Sequence, residues 1–133
     1  MAISFSDAAR SARAAAINTL INAGSGAGKF RVYGDTRATN ANTAVGGQTL
    51  LLELVLQDPA FTESGGVLTL DVTPAITDDA LDTDTVTWGR FLDSDNNVIL
   101  DVSAGSDFTI SDATLETGQT VTIVSFTITE AAS

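Results

Sequence analysis

Hydrophobic positions recur at one spacing over the first 22 residues and at another from residue 29 onward. Over residues 6–22 they repeat every three or four positions, which predicts an α-helix, and Ser6 is a good N-cap. One side of this helix would carry Phe5, Ala9, Ala12, Ala16 and Leu20, with Ile17 and Ile21 on its flank. A stripe made mostly of alanine allows close approach but buries little area, so it hints at a partner surface.

From residue 29 the pattern becomes an alternation of apolar and polar positions, as in β-strands. The predicted strands are residues 29–33, 49–56, 67–72, 86–92, 98–102, 108–110 and 120–129. Residues 49–56 are apolar on both faces, which favours a central strand or one covered by the helix. The whole pattern predicts a mainly β protein: one domain over residues 1–133, with a helix over 6–22 and a β-sandwich or jelly-roll-like body over 29–129.

The glycine-rich stretch AGSGAGKF, residues 23–30, looks at first like a phosphate-binding loop. Such a loop precedes a helix, because the free N–H groups of the helix N-terminus hold the phosphate. Here the glycines follow the predicted helix, and Phe30 stands where a serine or threonine would bind magnesium. The stretch therefore predicts a helix exit, with Gly24 as a left-handed C-terminal cap.

Composition excludes several kinds of chemistry. The 133 residues include no cysteine and no histidine, so no thiol, disulfide or imidazole is available for catalysis or metal binding. Without them the serines and threonines cannot form a familiar nucleophilic triad. We therefore expect a protein that is not an enzyme and that carries no cofactor.

The apolar runs are too short for a membrane protein. None approaches the roughly 18–20 residues of a membrane span. The opening MAISFSDAAR lacks the apolar core of a signal peptide. These features predict no contact with membranes and folding in a cytoplasm.

Charge is distributed unevenly about a net value of −11. Residues 1–37 carry five cations against two anions, whereas residues 38–133 carry Arg90 alone against fifteen carboxylates. An acidic body of this kind would repel a nucleic acid. Either its charge only keeps the protein soluble, or the basic N-terminal third docks on an acidic surface, its own or a partner's. The candidate anchoring residues are Arg10, Arg13, Lys29 and Arg31.

Asp93, Asp95 and Asn97 match the first three ligand positions of a calcium loop. Val98 then stands where the loop needs glycine, and Ala104 stands where a bidentate glutamate should close the site. A hairpin loop, in which such side chains cap neighbouring amides, explains the same pattern. A weak surface calcium site is the alternative.

Other residues have two interpretations each. Four carboxylates crowd the connection over 73–85, and they form either a solvated rim or a pair for glycosidic acid–base work: Asp78, Asp79, Asp82 and Asp84. Trp88 is either a platform for a sugar ring or part of the core or an interface. These alternatives leave room for a carbohydrate-binding sandwich that uses Trp88 and calcium to hold host glycans.

Four segments carry a resemblance to a known family, in order along the chain. They are INAGSGAG (21–28), LLLELVLQDPAF (50–61), WGRFLDSD (88–95) and, at the end, Gly118 with VSFTIT (124–129). Together they resemble small structural proteins from the virion gene modules of tailed bacteriophages. The resemblance implies a virion component, either a head decoration (cement) protein or one associated with the tail or baseplate.

A decoration protein would sit on the capsid exterior and bridge subunits of the major capsid protein, after assembly in the host bacterial cytoplasm. We expect it to associate as a homotrimer at quasi-threefold positions. Self-association would bury apolar strand faces that one thin sandwich leaves exposed.

Overall fold

The computed structural model describes residues 3–130 and has a mainly β fold, a β-sandwich with one helix near the N-terminus. Helix α1 spans Asp7–Ile21. The strands are β1 (Lys29–Tyr33), β2 (Leu50–Val55), β3 (Phe61–Ser64), β4 (Val67–Leu70), β5 (Thr77–Asp79), β6 (Asp84–Thr85), β7 (Trp88–Leu92), β8 (Val98–Ser103), β9 (Phe108–Ile110), β10 (Thr114–Leu115) and β11 (Thr120–Thr129). No helix within residues 3–130 is long and apolar enough to span a bilayer.

Two antiparallel sheets enclose the core. The first has the order β2-β1-β7-β8, and the second has the order β3-β4-β11-β5, with β9 also paired to β11. Phenylalanine rings join the sheets: Phe91 of β7 stacks on Phe30 of β1, with centroids 4.3 Å apart, and on Phe126 of β11 at 4.7 Å. Large buried aromatic and aliphatic side chains therefore hold the two sheets together.

The helix forms where the sequence predicts it. Ser6 is the N-cap, and its hydroxyl accepts a hydrogen bond from Ala9 N at 3.1 Å. The helix contacts β3, β4 and β8, so it closes the side of the sandwich between the β3–β4 hairpin and the edge of the first sheet.

The buried side of α1 lies away from the alanine stripe. Ala14 and Ile21 are fully buried, and Ile17 packs against the same core. Asn18 lies on this side as well, where its Nδ2 donates to Phe61 O at 3.1 Å and its Oδ1 accepts from Phe61 N at 3.3 Å. The stripe that contains Ala12 and Ala16 faces solvent.

The glycine stretch after α1 is a helix exit, as predicted. Gly24 has a left-handed φ of 97°, although the cap position itself is occupied by Asn22. A side chain at Gly24 would collide with Ser94 Oγ, because the stretch packs closely against the 93–97 hairpin. Ser94 Oγ donates to Ala23 O and accepts from Gly26 N, both at 3.3 Å. The glycines thus permit this close packing.

Strand β2 is an edge strand, which differs from the prediction of a central or helix-covered strand. Leu51, Leu52 and Leu54 are nevertheless buried, whereas Leu50 is half-buried and Val55 is 61% exposed. Leu81 N, in the segment after β5, donates to Leu51 O at 2.8 Å. The burial of these leucines therefore comes from the core and from this segment, not from a central position in the sheet.

The opposite edge of the first sheet is also covered, here by side chains. Arg37 Nη2 donates to Asp101 O of β8 at 3.2 Å, and Arg37 Nη1 donates to Ser103 Oγ at 2.7 Å. Asp107 Oδ2 accepts from Ser103 N at 2.7 Å. Backbone groups of both edge strands are thus bound within the chain.

The strands β3, β5, β6 and β10 were not expected from the alternation pattern. β3 has only one apolar residue, Phe61, and the other three contain two or three residues each, which is too short for a period to show. The acidic connection over residues 73–85 therefore holds two short strands. The long loop over 34–48 and the strand over 120–129 are confirmed.

Candidate functional site

Asp93 organises the 93–97 hairpin loop. Its Oδ1 accepts from the backbone N–H groups of Asp95 and Asn97, both at 2.9 Å, and its Oδ2 accepts from Asn97 Nδ2 at 3.0 Å. The side-chain hydrogen bond from Asn97 lowers the pKa of Asp93 most, and the two backbone hydrogen bonds and Lys29 act in the same direction against burial. This carboxylate stabilises the turn.

The three candidate calcium ligands are not arranged as a ligand set. Asn97 directs its amide nitrogen at Asp93, and Asp95 is exposed. Asn96 adopts a left-handed φ of 68°, which closes a three-residue hairpin loop through Asn96 N to Asp93 O at 3.1 Å. Among residues 3–130, no three His, Cys, Asp or Glu side chains are grouped to hold a metal ion.

The acidic residues of the 73–85 connection bind backbone amides next to them. Oδ1 of Asp78, Asp82 and Asp84 each accepts from the N–H of the following residue, at 2.7–2.8 Å. Asp78, Asp79 and Asp82 are exposed, and Asp84 is half-buried. Raising the pKa of a carboxylate for acid–base work requires an apolar pocket, and these side chains instead line a solvated rim.

Trp88 belongs to a small second core and offers no surface for a sugar. It is fully buried and stacks on Tyr33 at a centroid distance of 4.6 Å. Ala38 and Val45 of the long loop and Leu50 pack around this pair. Its Nε1 has no hydrogen-bond partner. The long loop therefore acts as a cover over the outer side of the first sheet.

Arg90 holds the long loop against the first sheet. This role was not predicted from the sequence. Arg90 is 3% exposed and forms a bidentate ion pair with Asp101, with Nε to Oδ1 at 2.7 Å and Nη2 to Oδ2 at 3.0 Å. Nη2 also donates to Thr43 O at 2.8 Å. The hydrogen bonds to Asp101 raise the pKa of Arg90 despite burial. The sequence contains a signal for this role: Arg90 is the only cation of residues 38–133, against fifteen carboxylates, and it lies in the middle of an apolar strand.

Four charged residues form a row across the first sheet, one from each strand. Backbone register pairs Arg31 of β1 with Glu53 of β2 and with Arg90 of β7, and Arg90 in turn with Asp101 of β8. We call Glu53, Arg31, Arg90 and Asp101 the charged row. The two central cations lie between two carboxylates, so the row neutralises itself.

The long loop also forms an open depression of about 430 Å³. Several of its polar side chains are bound within the protein: Asp35 Oδ2 accepts from Thr49 N at 3.1 Å, and Gln48 Nε2 donates to Thr36 O at 2.9 Å. Arg37 binds β8 as described above. These contacts hold the loop in place.

The four candidate anchoring cations fall into two groups. Lys29 and Arg31 lie together, sharing Glu53 as ion-pair partner at 3.8 and 3.1 Å and Asn96 Oδ1 as acceptor at 2.9 and 3.2 Å. The helix cations have other partners: Arg10 binds Asp7 at 3.2 Å, and Arg13 binds Glu130 at 2.6 Å.

The basic N-terminal third thus docks on the acidic body of its own chain. Glu53 and Glu130 of the body receive Lys29, Arg31 and Arg13. Whether any of these cations also contacts a partner stays a prediction.

The outward side of α1 is a largely apolar surface that the described residues leave mostly exposed. Phe5 is 40% exposed, Leu20 is 53% exposed, and Ala12 and Ala16 are exposed between them. The guanidinium of Arg13 lies 4.5 Å from the centroid of the Phe5 ring, which holds Phe5 against the helix. We call Phe5, Ala9, Ala12, Ala16 and Leu20 the outer helix face.

Comparison with known proteins gives no relative: no family model, no curated protein and no solved structure matches the chain.

Proposed function

We propose that this protein is a structural component of a bacteriophage virion, a decoration protein on the head exterior that bridges subunits of the major capsid protein. The observation that carries the proposal is the outer helix face. One side of α1 is buried in the sandwich through Ala14 and Ile21, while the other presents Phe5 and Leu20 to solvent. The phage assignment itself comes from the segmental resemblance.

The internal pairing of charge supports a role by contact. The charged side chains of Arg90, Asp93 and Asp101 are buried, and all three bind partners within the chain. A sandwich whose loops are held by internal hydrogen bonds, and whose helix exposes an apolar face, is suited to docking without catalysis. The protein is accordingly proposed to turn over no substrate.

The size of the face indicates how it would act. Within α1 the face runs from Ala9 to Leu20, about 16 Å along the helix axis, and Phe5 precedes the helix. A helix face of that length provides less than the roughly 800 Å² per partner of a typical stable complex. Many weak contacts repeated over a symmetric shell would still give strong attachment through avidity. Of the four candidate anchoring cations, Arg13 lies beside this face, because its guanidinium contacts the Phe5 ring.

The test compares phage heads with and without this protein. Heads stripped of it should rupture at a lower temperature, and adding the purified protein back should restore the original rupture temperature. Equal rupture temperatures for stripped and complete heads would refute the proposal.

A pair of matched variants tests the docking face. Ala16→Glu places a charge on the outer helix face and should abolish rebinding to stripped heads. Thr109→Glu, at an exposed position on β9, should leave rebinding unchanged. Equal rebinding of both variants would move the docking surface elsewhere on the protein.

Antibody labelling with gold separates the head assignment from a tail or baseplate location. Label on the heads of intact particles is expected. Label on tails would replace the head assignment with the tail-associated one, and absence of label from particles would end both.

A further inference from the structure

The second sheet has an open edge at the end of β11. Among residues 3–130, the part of β11 after Phe126 pairs only with β4, since β5 and β9 pair with earlier parts of the strand. Glu130 N donates to Gly66 O at 2.8 Å, on the β4 side, and successive residues of a strand direct their main-chain groups to opposite sides. The N–H and C=O groups of Thr127 and Thr129 therefore point away from β4, to the open side.

An apolar groove of about 280 Å³ lies along this open edge, between β11 and β8. Its lining consists of Leu100, Val102, Asp107, Phe126, Thr127, Ile128 and Thr129. Ile128 is half-buried, and the threonines on either side of it are exposed. A strand edge with free main-chain groups beside an apolar groove is complementary to an extended segment that has an apolar residue between two small ones.

The residues ahead of α1 have this pattern. Apolar residues alternate with small ones over MAISF, so that Ile3 stands between Ala2 and Ser4. Ile3 is 58% exposed and does not line the groove of its own chain. Residues 3–5 belong to no helix or strand, and Ser6 after them has an extended backbone. We call residues 2–4 the N-terminal arm. The chain thus contains both a segment with the pattern of a strand and a groove that fits one.

We propose that the N-terminal arm of a second copy of this chain adds to β11 as an antiparallel strand, with Ile3 opposite Ile128. The main-chain groups of Thr127 and Thr129 would then bind those of the arm, and Ile3 would enter the groove. The small neighbours of Ile3 would lie on the exposed face, beside the two threonines. This contact is separate from attachment to a phage head and does not depend on it.

The contacts of Arg13 favour a second copy over the same chain. Its guanidinium lies 4.5 Å from the centroid of the Phe5 ring and binds Glu130 at 2.6 Å, so the N-terminal arm and the end of β11 both run toward it. Along its own β11 the arm would therefore run parallel. Antiparallel pairing is the more stable form, and the arm of another copy is free to adopt it. Charge agrees, because the basic N-terminal third of one copy would approach the acidic body of the other.

Disulfide trapping tests the register, because the chain contains no cysteine of its own. Under mild oxidation, a mixture of Ile3→Cys with Ile128→Cys should give a mixed covalent dimer. Opposed residues of antiparallel strands have Cα atoms about 4.5–5.5 Å apart, which is within the range that a disulfide spans. Ser4→Cys mixed with Ile128→Cys should react much more slowly, because the side chain of residue 4 would point to the other face of the sheet.

Thr109→Cys, on β9, is the control for random collision. Cross-linking of Ile3→Cys with Ile128→Cys at no more than the rate of Ile3→Cys with Thr109→Cys would overturn the proposal. The double variant with both Ile3→Cys and Ile128→Cys in one chain should form linked dimers as the protein concentration rises. A disulfide closed within the monomer at every concentration would also overturn it, because the arm would then lie in its own groove.

Sedimentation gives a readout that needs no cysteine. Ile3→Asp would place a charge in the apolar groove, so the fraction of associated protein should fall about tenfold or more. Ser4→Asp adds the same charge on the exposed face and should keep most of the association. Thermal unfolding should be unchanged in Ile3→Asp, since Ile3 is 58% exposed.

Equal association of the two aspartate variants would contradict the register. An unmodified protein that stays monomeric at high concentration would refute the pair altogether. If that monomeric protein still rebinds to stripped heads, the proposed function stands without the pair.

Discussion

The charged row on the first sheet and the outer helix face on α1 are opposites in both composition and coverage. The row is built of charged residues, yet Arg90 and Asp101 are buried beneath the long loop and paired with each other. The outer helix face is apolar, yet Phe5 and Leu20 remain exposed. The position of a side chain in this protein is therefore decided by the partners it finds and not by its polarity alone.

This contrast separates a surface whose side chains are paired within the chain from one whose apolar side chains remain in water. Buried charges are tolerated only when they are paired and hydrogen-bonded. The charged row meets this condition within one chain, because its two cations pair with its two carboxylates. The outer helix face leaves apolar side chains in water, and apolar surface in water retains a driving force for association. The four predictions below test this difference, in order of expected effect.

The largest effect is expected from breaking the buried pair. Asp101→Ala would leave the Arg90 guanidinium buried without its carboxylate, which should lower the free energy of unfolding by about 3–5 kcal/mol. Urea denaturation monitored by tryptophan fluorescence measures it, because Trp88 lies beside Arg90 with the guanidinium 5.3 Å from its ring. The double variant Arg90→Met with Asp101→Leu should recover most of the loss; a single variant as stable as the unmodified protein would show that the pair contributes little.

The buried side of the helix should be nearly as sensitive. Ile21→Ala removes a fully buried side chain and leaves a cavity, so the free energy of unfolding should fall by about 2–5 kcal/mol. Ile21→Val serves as the milder control and should cost about 0.5–1.5 kcal/mol. Both values come from the same denaturation experiment, and a loss in Ile21→Ala no larger than in Ile21→Val would contradict the packing described here.

A smaller, pH-dependent effect is expected at the 93–97 hairpin. The pKa of Asp93 is lowered in the folded protein from its ordinary value of 3.8, so the ionised form contributes stability at neutral pH. That contribution is lost as the pH falls from about 4 through the lower folded-state value. Acid titration of the free energy of unfolding should therefore be steeper in the unmodified protein than in Asp93→Asn, and equal slopes would show that Asp93 does not contribute.

The smallest effect on stability is expected at the outer helix face. Leu20→Ala, one position away from Ile21, should change the free energy of unfolding by less than about 0.5 kcal/mol, because its side chain is already in water. The same variant should weaken rebinding to stripped heads. A stability loss comparable to that of Ile21→Ala would mean that Leu20 packs within the chain.

Local patterns were sufficient to predict most elements of the fold. The helix lies within one residue of its predicted bounds at each end, and β11 has the bounds that alternation gave. The glycine stretch could be assigned because its order relative to the helix is visible in the sequence. Capping, periodicity and turn chemistry act over a few residues and can be seen without a structure.

The partners of each side chain could not be predicted in the same way. Asn18 interrupts the apolar pattern on the buried side of α1, because it is used to bind both backbone groups of Phe61, 43 residues away. The alanine stripe therefore looked the more continuous side. Pairing of Arg90 with Asp101 depends on a bulged strand register, and the edge position of β2 depends on strand order. These are long-range relations that one sequence does not display.

Arg37 and the segment around Leu81 have a further consequence at high concentration. Exposed strand edges recruit other strands, and stacked sheets of that kind grow into amyloid fibres. Here a guanidinium occupies one margin of the first sheet and a stretch of main chain occupies the other. At these two margins the first sheet therefore offers fewer free main-chain groups for pairing with a strand of another molecule.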